Sequence, residues 1–315
     1  MNCCLSNYWS FFLVALLLAI SACSDEESYS PEVGETTKTI SFDLYAETGN
    51  KWVNNFAVSN DGEFVFYTSV NEVYRYHVAT GEETVIVTTI NPPSGLNSCY
   101  VHYIDGKLYV IHIDDNKSYV RVSSNNGDSF INHHVGTKLG SIDFEGPFWR
   151  VLFNRLLKLP DGSLIIPYLG DNIAVSNDDG ASWSLKKSDI GFITANQQNK
   201  LFGMESTWTD EFGRQFPGEK ATSNNVGTTW ELYEDHLPTA VDRQSNLVTV
   251  RDNSIVKLTN GKLITYNWEA QKNIINTSSD YYTNSEINLN DVEFDQNNNL
   301  YLLNYDGNIY KTRLD

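Results

Sequence analysis

The chain has 315 residues and a formal net charge of −18, because 40 Asp and Glu side chains outnumber 22 Lys and Arg. Such a charge repels nucleic acid and anionic lipid headgroups, so it excludes both as partners. Aromatic residues make up 13% of the chain. Helical periodicity is hard to find, and the composition favours an all-β fold with a substantial core.

The N-terminus has the pattern of an export signal. Its first 22 residues carry no charged side chain, and they contain a ten-residue apolar run from Phe11 to Ile20. That run is too short to span a bilayer and is typical of a signal peptide. The following Ile20-Ser21-Ala22-Cys23 resembles the lipobox of bacterial lipoproteins. The resemblance implies a signal peptide over residues 1–22 and lipidation of Cys23; the alternative is an ordinary secretory signal.

An acidic, apolar-poor segment, SDEESYSPEVGET, follows Cys23 and is typical of a disordered tether. We assign residues 23–36 to this tether and residues 37–315 to one folded domain. Acidic residues directly after a lipidated cysteine resemble the surface-export signal of Bacteroidota lipoproteins. The resemblance implies a protein anchored by lipid in the outer membrane and exposed at the cell surface. The alternative location is the periplasmic face.

The cysteines are consistent with this assignment. Cys3 and Cys4 would leave with the signal peptide, and Cys23 would carry lipid. Only Cys99 remains, so the mature domain has no intrachain disulfide. We expect Cys99 to be a small buried apolar residue.

Six segments of the domain combine a turn with a following strand, and four of them contain Asp-Gly or Asn-Gly, a strong hairpin signal. We take each of these turns as the hairpin that joins strands A and B of one unit. Their mean spacing of about 47 residues is typical of β-propeller blades. The sequence therefore predicts an all-β, six-bladed β-propeller of four-stranded antiparallel blades. The last blade has three strands, so we expect an N-terminal strand within TKTISFDLYAE to complete it. The first apolar residues after the six turns are Phe64, Leu108, Leu164, Leu201, Leu263 and Leu300.

One motif occurs three times: Ser176–Trp183, its close copy Ser223–Trp230, and the looser Ser123–Phe130. We place it between the third and fourth strands of blades two to four, where Ser and Asp or Asn side chains can hold a tight turn. We expect the aromatic ring that ends the motif, as at Trp183, to pack between neighbouring sheets. It resembles the Asp box, or BNR repeat, of sialidases and other propellers. The resemblance implies that these turns lie on the face away from the ligand site. A structural role is therefore favoured over a metal or ligand site.

The opposite face is formed by the remaining connections, three of which are long: one between blades two and three, one within blade four, and one between blades four and five, which contains Arg243. Long loops on a rigid β scaffold commonly carry binding function. A further segment, FNRLLKLPDGS, resembles the first blade of sialidases, and the resemblance makes Arg155 the matching carboxylate-binding arginine. The family's Ile-Pro after that arginine is Leu156-Leu157 here. The candidate ligand-binding residues are Glu145, Trp149, Arg150, Arg155, Glu205, Trp208 and Arg243.

We expect this domain to bind a carbohydrate or surface polysaccharide, because the open face is rich in Trp, Tyr and Asn. A divergent sialidase-like glycosidase, a polysaccharide lyase and a protein-assembly scaffold are the alternatives, and no catalytic residue is assigned. His102 and His112 flank one hairpin without metal-ligand spacing, so we expect them to be strand histidines whose hydrogen bonds are satisfied. No Gly-rich phosphate loop or nucleophile elbow occurs. We expect no metal, no cofactor, membrane contact only through the lipid, and a monomer.

Overall fold

The computed structural model describes most of the predicted domain. It covers residues 35–49, 53–69, 71–89, 99–114, 117–136, 156–168, 172–188, 191–196, 198–204, 208–209, 215–216, 219–232, 238, 240–251, 254–268, 271, 292–304 and 306–314. Within these ranges, no helix is long and apolar enough to cross a membrane.

The described residues form 27 strands. Two strands precede the blades, and within each blade we label the strands A to D from the centre to the rim. The first half comprises β1 (Glu35–Thr39) and β2 (Asp43–Ala46); blade one, β3 (Val53–Val58), β4 (Phe64–Ser69), β5 (Glu72–His77) and β6 (Glu82–Thr88); blade two, β7 (Cys99–Ile104), β8 (Lys107–Asp114), β9 (Lys117–Ser123) and β10 (Ile131–Gly136); and blade three, β11 (Leu157–Lys158), β12 (Leu164–Tyr168), β13 (Asn172–Ser176) and β14 (Ser184–Lys187).

Blades four to six follow the same order. Blade four contains an extra pair of short strands between its B and C strands. The second half comprises β15 (Gly191–Ala195), β16 (Leu201–Met204), the extra pair β17 (Trp208–Thr209) and β18 (Gln215–Phe216), β19 (Lys220–Ser223) and β20 (Glu231–Leu232) in blade four; β21 (Ala240–Val241), β22 (Leu247–Arg251), β23 (Ser254–Thr259) and β24 (Lys262–Asn267) in blade five; and β25 (Val292–Phe294), β26 (Asn299–Leu303) and β27 (Ile309–Arg313) in blade six.

The predicted six-bladed propeller is confirmed. Six antiparallel sheets contain four strands in the order A-B-C-D, and the A strands of neighbouring blades contact one another, for example β3 with β7 and β25. The predicted N-terminal closure is also confirmed, because β2 is strand D of blade six beside β27. In addition, β1 pairs with β24 and forms a fifth strand on blade five.

The segment between β1 and β2 is held by specific contacts. The side-chain amide of Gln271 bonds both the backbone N–H and the backbone carbonyl of Phe42, at 2.8 and 2.9 Å. The Phe42 ring packs edge-on against buried Trp268, with 5.4 Å between the ring centroids. The chain that closes the ring is therefore fixed by both hydrogen bonds and apolar burial.

One expectation about blade five is wrong. We took the Asn260-Gly261 turn to precede strand B, with Leu263 as its first apolar residue. The structure places Leu263 in β24, which is strand D, and Asn260-Gly261 closes the C–D hairpin. Asn-Gly suits a two-residue hairpin because both residues take positive φ, here 50° and 71°. Any hairpin of a blade can use such a turn, so the dipeptide does not identify the strand that follows.

The core consists of apolar layers between neighbouring blades. Leu108 and Val110 of blade two pack against Ala57 and Phe66 of blade one. The residue between them, Tyr109, faces blade three instead. This alternation is the two-residue period of a strand whose two faces are both covered.

The connections divide between two faces of the propeller. The A–B and C–D turns lie on one face, which we call the turn face. The B–C and D–A connections lie on the other, which we call the connection face. Three A–B turns share one construction: an Asp or Asn side chain accepts the backbone N–H groups two and four residues later. These turns are Asn196–Lys200, Asp242–Asn246 and Asp295–Asn299.

Candidate functional site

Most of the predicted ligand-binding residues lie outside the described part of the chain. Their positions on the connection face therefore stay predictions. The residues in question are Glu145, Trp149, Arg150, Arg155 and Glu205.

Trp208 lies in a small β-hairpin rather than in an irregular loop. The long B–C connection of blade four, residues 205–219, contains β17 and β18, which pair antiparallel. The register places Trp208 directly opposite Phe216, and Thr209 opposite Gln215. The connection face of blade four therefore carries a short two-stranded element with two aromatic residues at one register position.

Arg243 does not lie where the sequence suggested. We expected it in the connection between blades four and five, but it lies in the Asp242–Asn246 turn between strands A and B, on the turn face. Its guanidinium donates to the carbonyl oxygens of Phe294 and Asp295 in blade six, both at 3.0 Å. Arg243 therefore ties blade five to blade six and is not part of a site on the connection face.

The repeated motif forms three C–D turns of the same geometry. In each turn, the first Ser hydroxyl donates to the Asp or Asn side chain two residues later, as from Ser176 to Asp178 at 2.8 Å. The same hydroxyl accepts the N–H of the motif's glycine, which for Gly180 is 2.8 Å away. Positive φ values of 56° at Asp179 and 91° at Gly180 complete the turn. The hydrogen-bonding groups of the motif are thus used within the turn itself.

The aromatic residue that ends the motif packs between blades, as predicted. Trp183 contacts the apolar layer between blades two and three, and its indole N–H donates to the Gly180 carbonyl at 2.9 Å. Trp230 contacts the layer between blades three and four, and its indole N–H donates to the Ser188 hydroxyl at 3.1 Å. Both tryptophans therefore stabilise the contact between adjacent sheets.

Cations from neighbouring strands attach these turns to the preceding blade. Lys107 of blade two pairs with Asp179 of blade three at 2.8 Å. Lys186 of blade three donates to the carbonyl oxygens of Asn225 and Val226 in blade four, at 3.0 and 2.8 Å. The turn face is therefore held by contacts that the fold itself uses.

Two arginines approach the crevice between blades one and two. We call it the arginine crevice, because Arg75 of strand β5 and Arg121 of strand β9 both enter it. Arg75 pairs in register with Phe66, and Arg121 with Val110, and both partners belong to the apolar layer between these blades. Directly opposite residues of an antiparallel pair lie on the same side of the sheet. The two arginines therefore approach the same crevice from opposite walls.

The Arg75 end of the crevice is closed by hydrogen bonds. The guanidinium of Arg75 donates to the Asn126 carbonyl at 2.9 Å and to the Asp128 carboxylate at 2.6 Å. It also lies over the Phe64 ring, 5.5 Å from the ring centroid. Arg75 thus donates hydrogen bonds to the first of the three motif turns, just as Lys186 donates to the third.

The Arg121 end contains a buried histidine instead of a carboxylate. Nε–H of Arg121 donates to Nε2 of His112 at 2.8 Å, and the His112 ring stacks on Tyr119 with 5.1 Å between centroids. His112 is only 2% exposed. Burial, and then the charge of Arg121, lower the pKa of His112 to about 3. The imidazole is therefore neutral at pH 7.

This geometry determines the tautomer of His112. Since Nε2 accepts a hydrogen bond, the single proton of the neutral ring is on Nδ1. Nδ1 is fully buried and has no hydrogen-bond partner. A buried donor without an acceptor costs about 1–3 kcal/mol. The Arg121 end of the crevice therefore presents an N–H group that the fold does not use.

Neighbouring backbone shapes this end of the crevice. Cys99 pairs in register with His112, and its thiol donates to the Asn71 carbonyl of blade one at 3.8 Å. Thr89 donates to the same carbonyl at 3.0 Å from its backbone. The B–C turn of blade one therefore borders the histidine.

Sequence reasoning did not single out this pair. We read His112 as a strand histidine with its hydrogen bonds satisfied, and Arg121 was not considered. A signal was available in the two-residue alternation of β8, where His112 follows Leu108 and Val110 on the side that faces blade one. A polar residue at such a position needs a partner, and Arg121 occupies the corresponding side of β9.

No metal site is formed by the residues that the structure describes. Among them, no three His, Cys, Asp or Glu side chains are grouped so that they could hold a metal ion.

Comparisons with known proteins agree on the fold. No protein-family model matches the chain, and no curated protein matches it either. Solved β-propeller structures do match. A candidate oxidoreductase (glucose dehydrogenase) from Thermus thermophilus is similar with a TM-score of 0.50 and 11% identity, over 86% of this chain and 99% of that one.

Two further propellers cover nearly the same part of the chain. The calcium-binding protein regucalcin from Agrobacterium tumefaciens has a TM-score of 0.49 and 10% identity, over 88% of this chain and 94% of its own. YCF48 from Cyanidioschyzon merolae has a TM-score of 0.48 and 11% identity, over 87% and 99%. Identities this low concern the fold alone.

Proposed function

We propose that this protein is a lipoprotein of the outer membrane, exposed at the cell surface, whose propeller binds a carbohydrate or surface polysaccharide. The observation that carries the proposal is the β17–β18 hairpin on the connection face of blade four, with Trp208 opposite Phe216. Aromatic rings stack on the apolar faces of sugars. A hairpin fixes such residues more firmly than an irregular loop does, and binding residues are commonly carried on loops of a rigid scaffold.

The contrast between the two faces supports the proposal. On the turn face, the recognisable motif residues and their cations bond one another, as in Ser176–Asp178 and Lys107–Asp179. In blade four, strands β16 and β19 pair directly with each other, so the β17–β18 pair between them in the chain is not needed to complete the blade. Insertions that a fold does not need are typically functional.

The cell-surface part of the proposal depends on Cys23. Wild-type protein should partition into the detergent phase after membrane extraction, whereas the Cys23→Ser variant should be released into the aqueous phase. Cys99→Ser is the matched control, since Cys99 is buried inside the domain and its loss should not alter partitioning. A wild-type protein recovered in the aqueous phase contradicts the lipid anchor.

The binding part is tested with purified protein and a panel of neutral and acidic polysaccharides. We expect Trp208→Ala to weaken binding at least tenfold, about 1.4 kcal/mol, at an unchanged melting temperature, and Trp208→Phe to retain most of it. Trp183→Ala is the control on the turn face. It should cost about 3 kcal/mol of stability and leave the affinity of the folded protein unchanged.

Two outcomes would contradict the proposal. One is the absence of binding to every glycan in the panel, which would favour a protein-assembly scaffold. The other is a loss of affinity in Trp183→Ala at an unchanged melting temperature, which would place the ligand on the turn face. Release of a shortened sugar product during the assay would instead favour a glycosidase or lyase.

A further inference from the structure

The dipeptide Asn-Gly occurs twice in the chain, and the two copies lie in different surroundings. Asn126-Gly127 belongs to the first of the three motif turns, and Asn260-Gly261 closes the C–D hairpin of blade five. Asn-Gly is chemically reactive, because glycine has no Cβ to keep its backbone nitrogen away from the side-chain amide of the preceding asparagine. The contacts that hold each turn therefore decide whether it reacts.

The backbone conformation does not distinguish the two copies. φ is 53° at Asn126 and 50° at Asn260, and it is positive at both of the following glycines. Attack by the glycine nitrogen rearranges the backbone of the turn, so it requires the turn to open locally. The ease of opening depends on the hydrogen bonds and the packing that opening would break.

Three hydrogen bonds hold the Asn126 copy closed. The Gly127 N–H donates to the Ser123 hydroxyl at 2.9 Å, and the Tyr103 hydroxyl donates to Oδ1 of Asn126 at 2.8 Å. Arg75 donates to the Asn126 carbonyl at 2.9 Å. Gly127 is also buried. The nitrogen that would attack and the amide that would be attacked are therefore both engaged in bonds within the fold.

The Asn260 copy lacks such contacts. Asn260, Gly261 and the following Lys262 are all exposed. Among the described residues, neither the Asn260 side chain nor the Gly261 N–H has a hydrogen-bond partner. A Cβ built on Gly261 would have open space around it. The pairing of Thr259 with Lys262 is what closes the hairpin at this end, so opening of the turn breaks few contacts.

We propose that Asn260 is a site of spontaneous deamidation. The Gly261 nitrogen attacks Cγ of Asn260 and forms a cyclic imide, while the C–N bond of the side-chain amide breaks. The amide nitrogen leaves as ammonia and takes the proton of the Gly261 N–H. Water then opens the ring at either carbonyl, which gives an aspartate or an isoaspartate at this position. The net reaction consumes water and releases ammonia, and nothing is oxidised or reduced.

The product changes the turn in two ways. Both forms add a negative charge to a chain whose net charge is already −18. Isoaspartate also routes the backbone through the side-chain carbon, which lengthens the loop. Loop length fixes the register of a hairpin, so the Thr259–Lys262 pair at the start of β24 is weakened.

The Asp-Gly turns are less reactive by the same chemistry, because an ionised carboxylate resists attack by nitrogen. Hydrogen bonds from nearby serine hydroxyls hold the pKa of Asp61 and that of Asp161 below the usual value. Asp105 pairs with Lys158 at 2.9 Å. The amide of Asn260 is neutral and exposed, so it lacks this protection.

The test follows both copies in the full-length protein in detergent, incubated in mildly alkaline buffer. Trypsin separates them into Leu258–Lys262 and Val122–Lys138. Mass spectrometry with fragmentation measures the fraction in which the amide of Asn260, or that of Asn126, has become an acid. We expect Asn260 to react at least about tenfold faster than Asn126, a difference of about 1.4 kcal/mol in activation free energy.

Matched variants show whether the contacts set the rate. Ser123→Ala and Tyr103→Phe each remove one bond from the Asn126 copy, so each should speed the reaction of Asn126 and leave that of Asn260 unchanged. Asn260→Gln should stop the reaction in the Leu258–Lys262 peptide, because glutamine would have to form a larger ring. In concentrated urea, where neither turn is held, the two copies should react at similar rates.

Three results would overturn the proposal. The first is a reaction of Asn126 as fast as that of Asn260 in the folded protein. The second is an unreacted Asn260 in the folded protein under conditions in which both copies react in urea. The third is a difference in urea as large as in the folded protein, since the neighbouring sequence and not the structure would then set the rates.

Discussion

Each end of the arginine crevice contains an arginine, but the two arginines have different partners. Arg75 donates to a carbonyl and a carboxylate of the next blade, and it covers an aromatic ring. Within the described part of the chain, Arg121 bonds only a neutral imidazole whose other nitrogen is a buried, unpartnered donor. The first end is fully paired within the fold, and the second leaves one buried donor without an acceptor.

The buried ion pair of Lys257 and Asp242 should contribute strongly to the stability of the fold. Lys257 of blade five lies 2.8 Å from Asp242, and both side chains are buried. Lys257→Met leaves the carboxylate without its cation, so we expect a loss of about 4 kcal/mol in the free energy of unfolding, measured by urea titration. Burial alone would raise the pKa of Asp242, but bonds from Lys257 and Asn246 hold that pKa below its usual value.

Lys311→Met is the matched control for Lys257. Lys311 occupies the corresponding place in blade six, but it lies over the rings of Tyr45 and Tyr301 at 5.1 and 5.4 Å from their centroids. Its loss should cost about 1 kcal/mol. Equal losses for the two variants would contradict the role of the buried ion pair.

His112 should make the stability of the protein depend on mildly acidic pH. Its pKa in the folded state, about 3, is below the usual 6.5, so the unfolded chain binds an additional proton between these values. The stability due to the neutral ring is complete above pH 6.5 and falls as pH decreases. We expect His112 to account for about 3 kcal/mol between pH 6.5 and pH 4.

The comparison of wild type with His112→Asn isolates that contribution, because other groups titrate equally in both. The difference in unfolding free energy should shrink or reverse as pH falls from 6.5 to 4. A pH-independent difference would mean that His112 is not buried in its neutral form.

Much of the fold was predictable from the chain, because turn chemistry repeats from blade to blade. Asp-Gly at residues 61–62, 105–106 and 161–162 marks A–B hairpins of blades one to three. Blade five uses Asp242–Asn246 instead, where Asp242 accepts two backbone N–H groups at 2.9 Å and Ser245 takes a φ of 66°. That turn contains no glycine, so the nearby Asn260-Gly261 was chosen in its place, and Arg243 was assigned to the wrong face as a result.

The candidate site was less predictable for a physical reason. Whether a polar strand residue is satisfied depends on the residues opposite it in the next strand and the next blade. His112 and Arg121 are nine residues apart in the chain and meet only through the β8–β9 register. The alternation within each strand gives the side on which a residue lies. It does not give the hydrogen-bond partner, and the partner decides which groups are left over.

The two arginines of the crevice should respond differently to removal. Arg75→Met loses a partly exposed ion pair and a hydrogen bond, so it should cost about 1 kcal/mol, less at high salt. Its pH dependence between 6.5 and 4 should equal that of wild type. Arg121→Met removes the positive charge beside His112, which raises the pKa of the ring and makes the pH dependence shallower. Identical pH profiles for both variants would contradict the Arg121–His112 contact.

The protonation of the His112 ring at pH 7 tests the central claim most directly. A long-range nitrogen–proton NMR spectrum of the imidazole groups, assigned with His112→Asn, distinguishes the two neutral tautomers from the charged ring. The geometry predicts a neutral His112 with its proton on Nδ1 and an unprotonated Nε2. A proton on Nε2, or a charged ring at pH 7, would mean that Arg121 does not donate to His112, and it would contradict the account of this site.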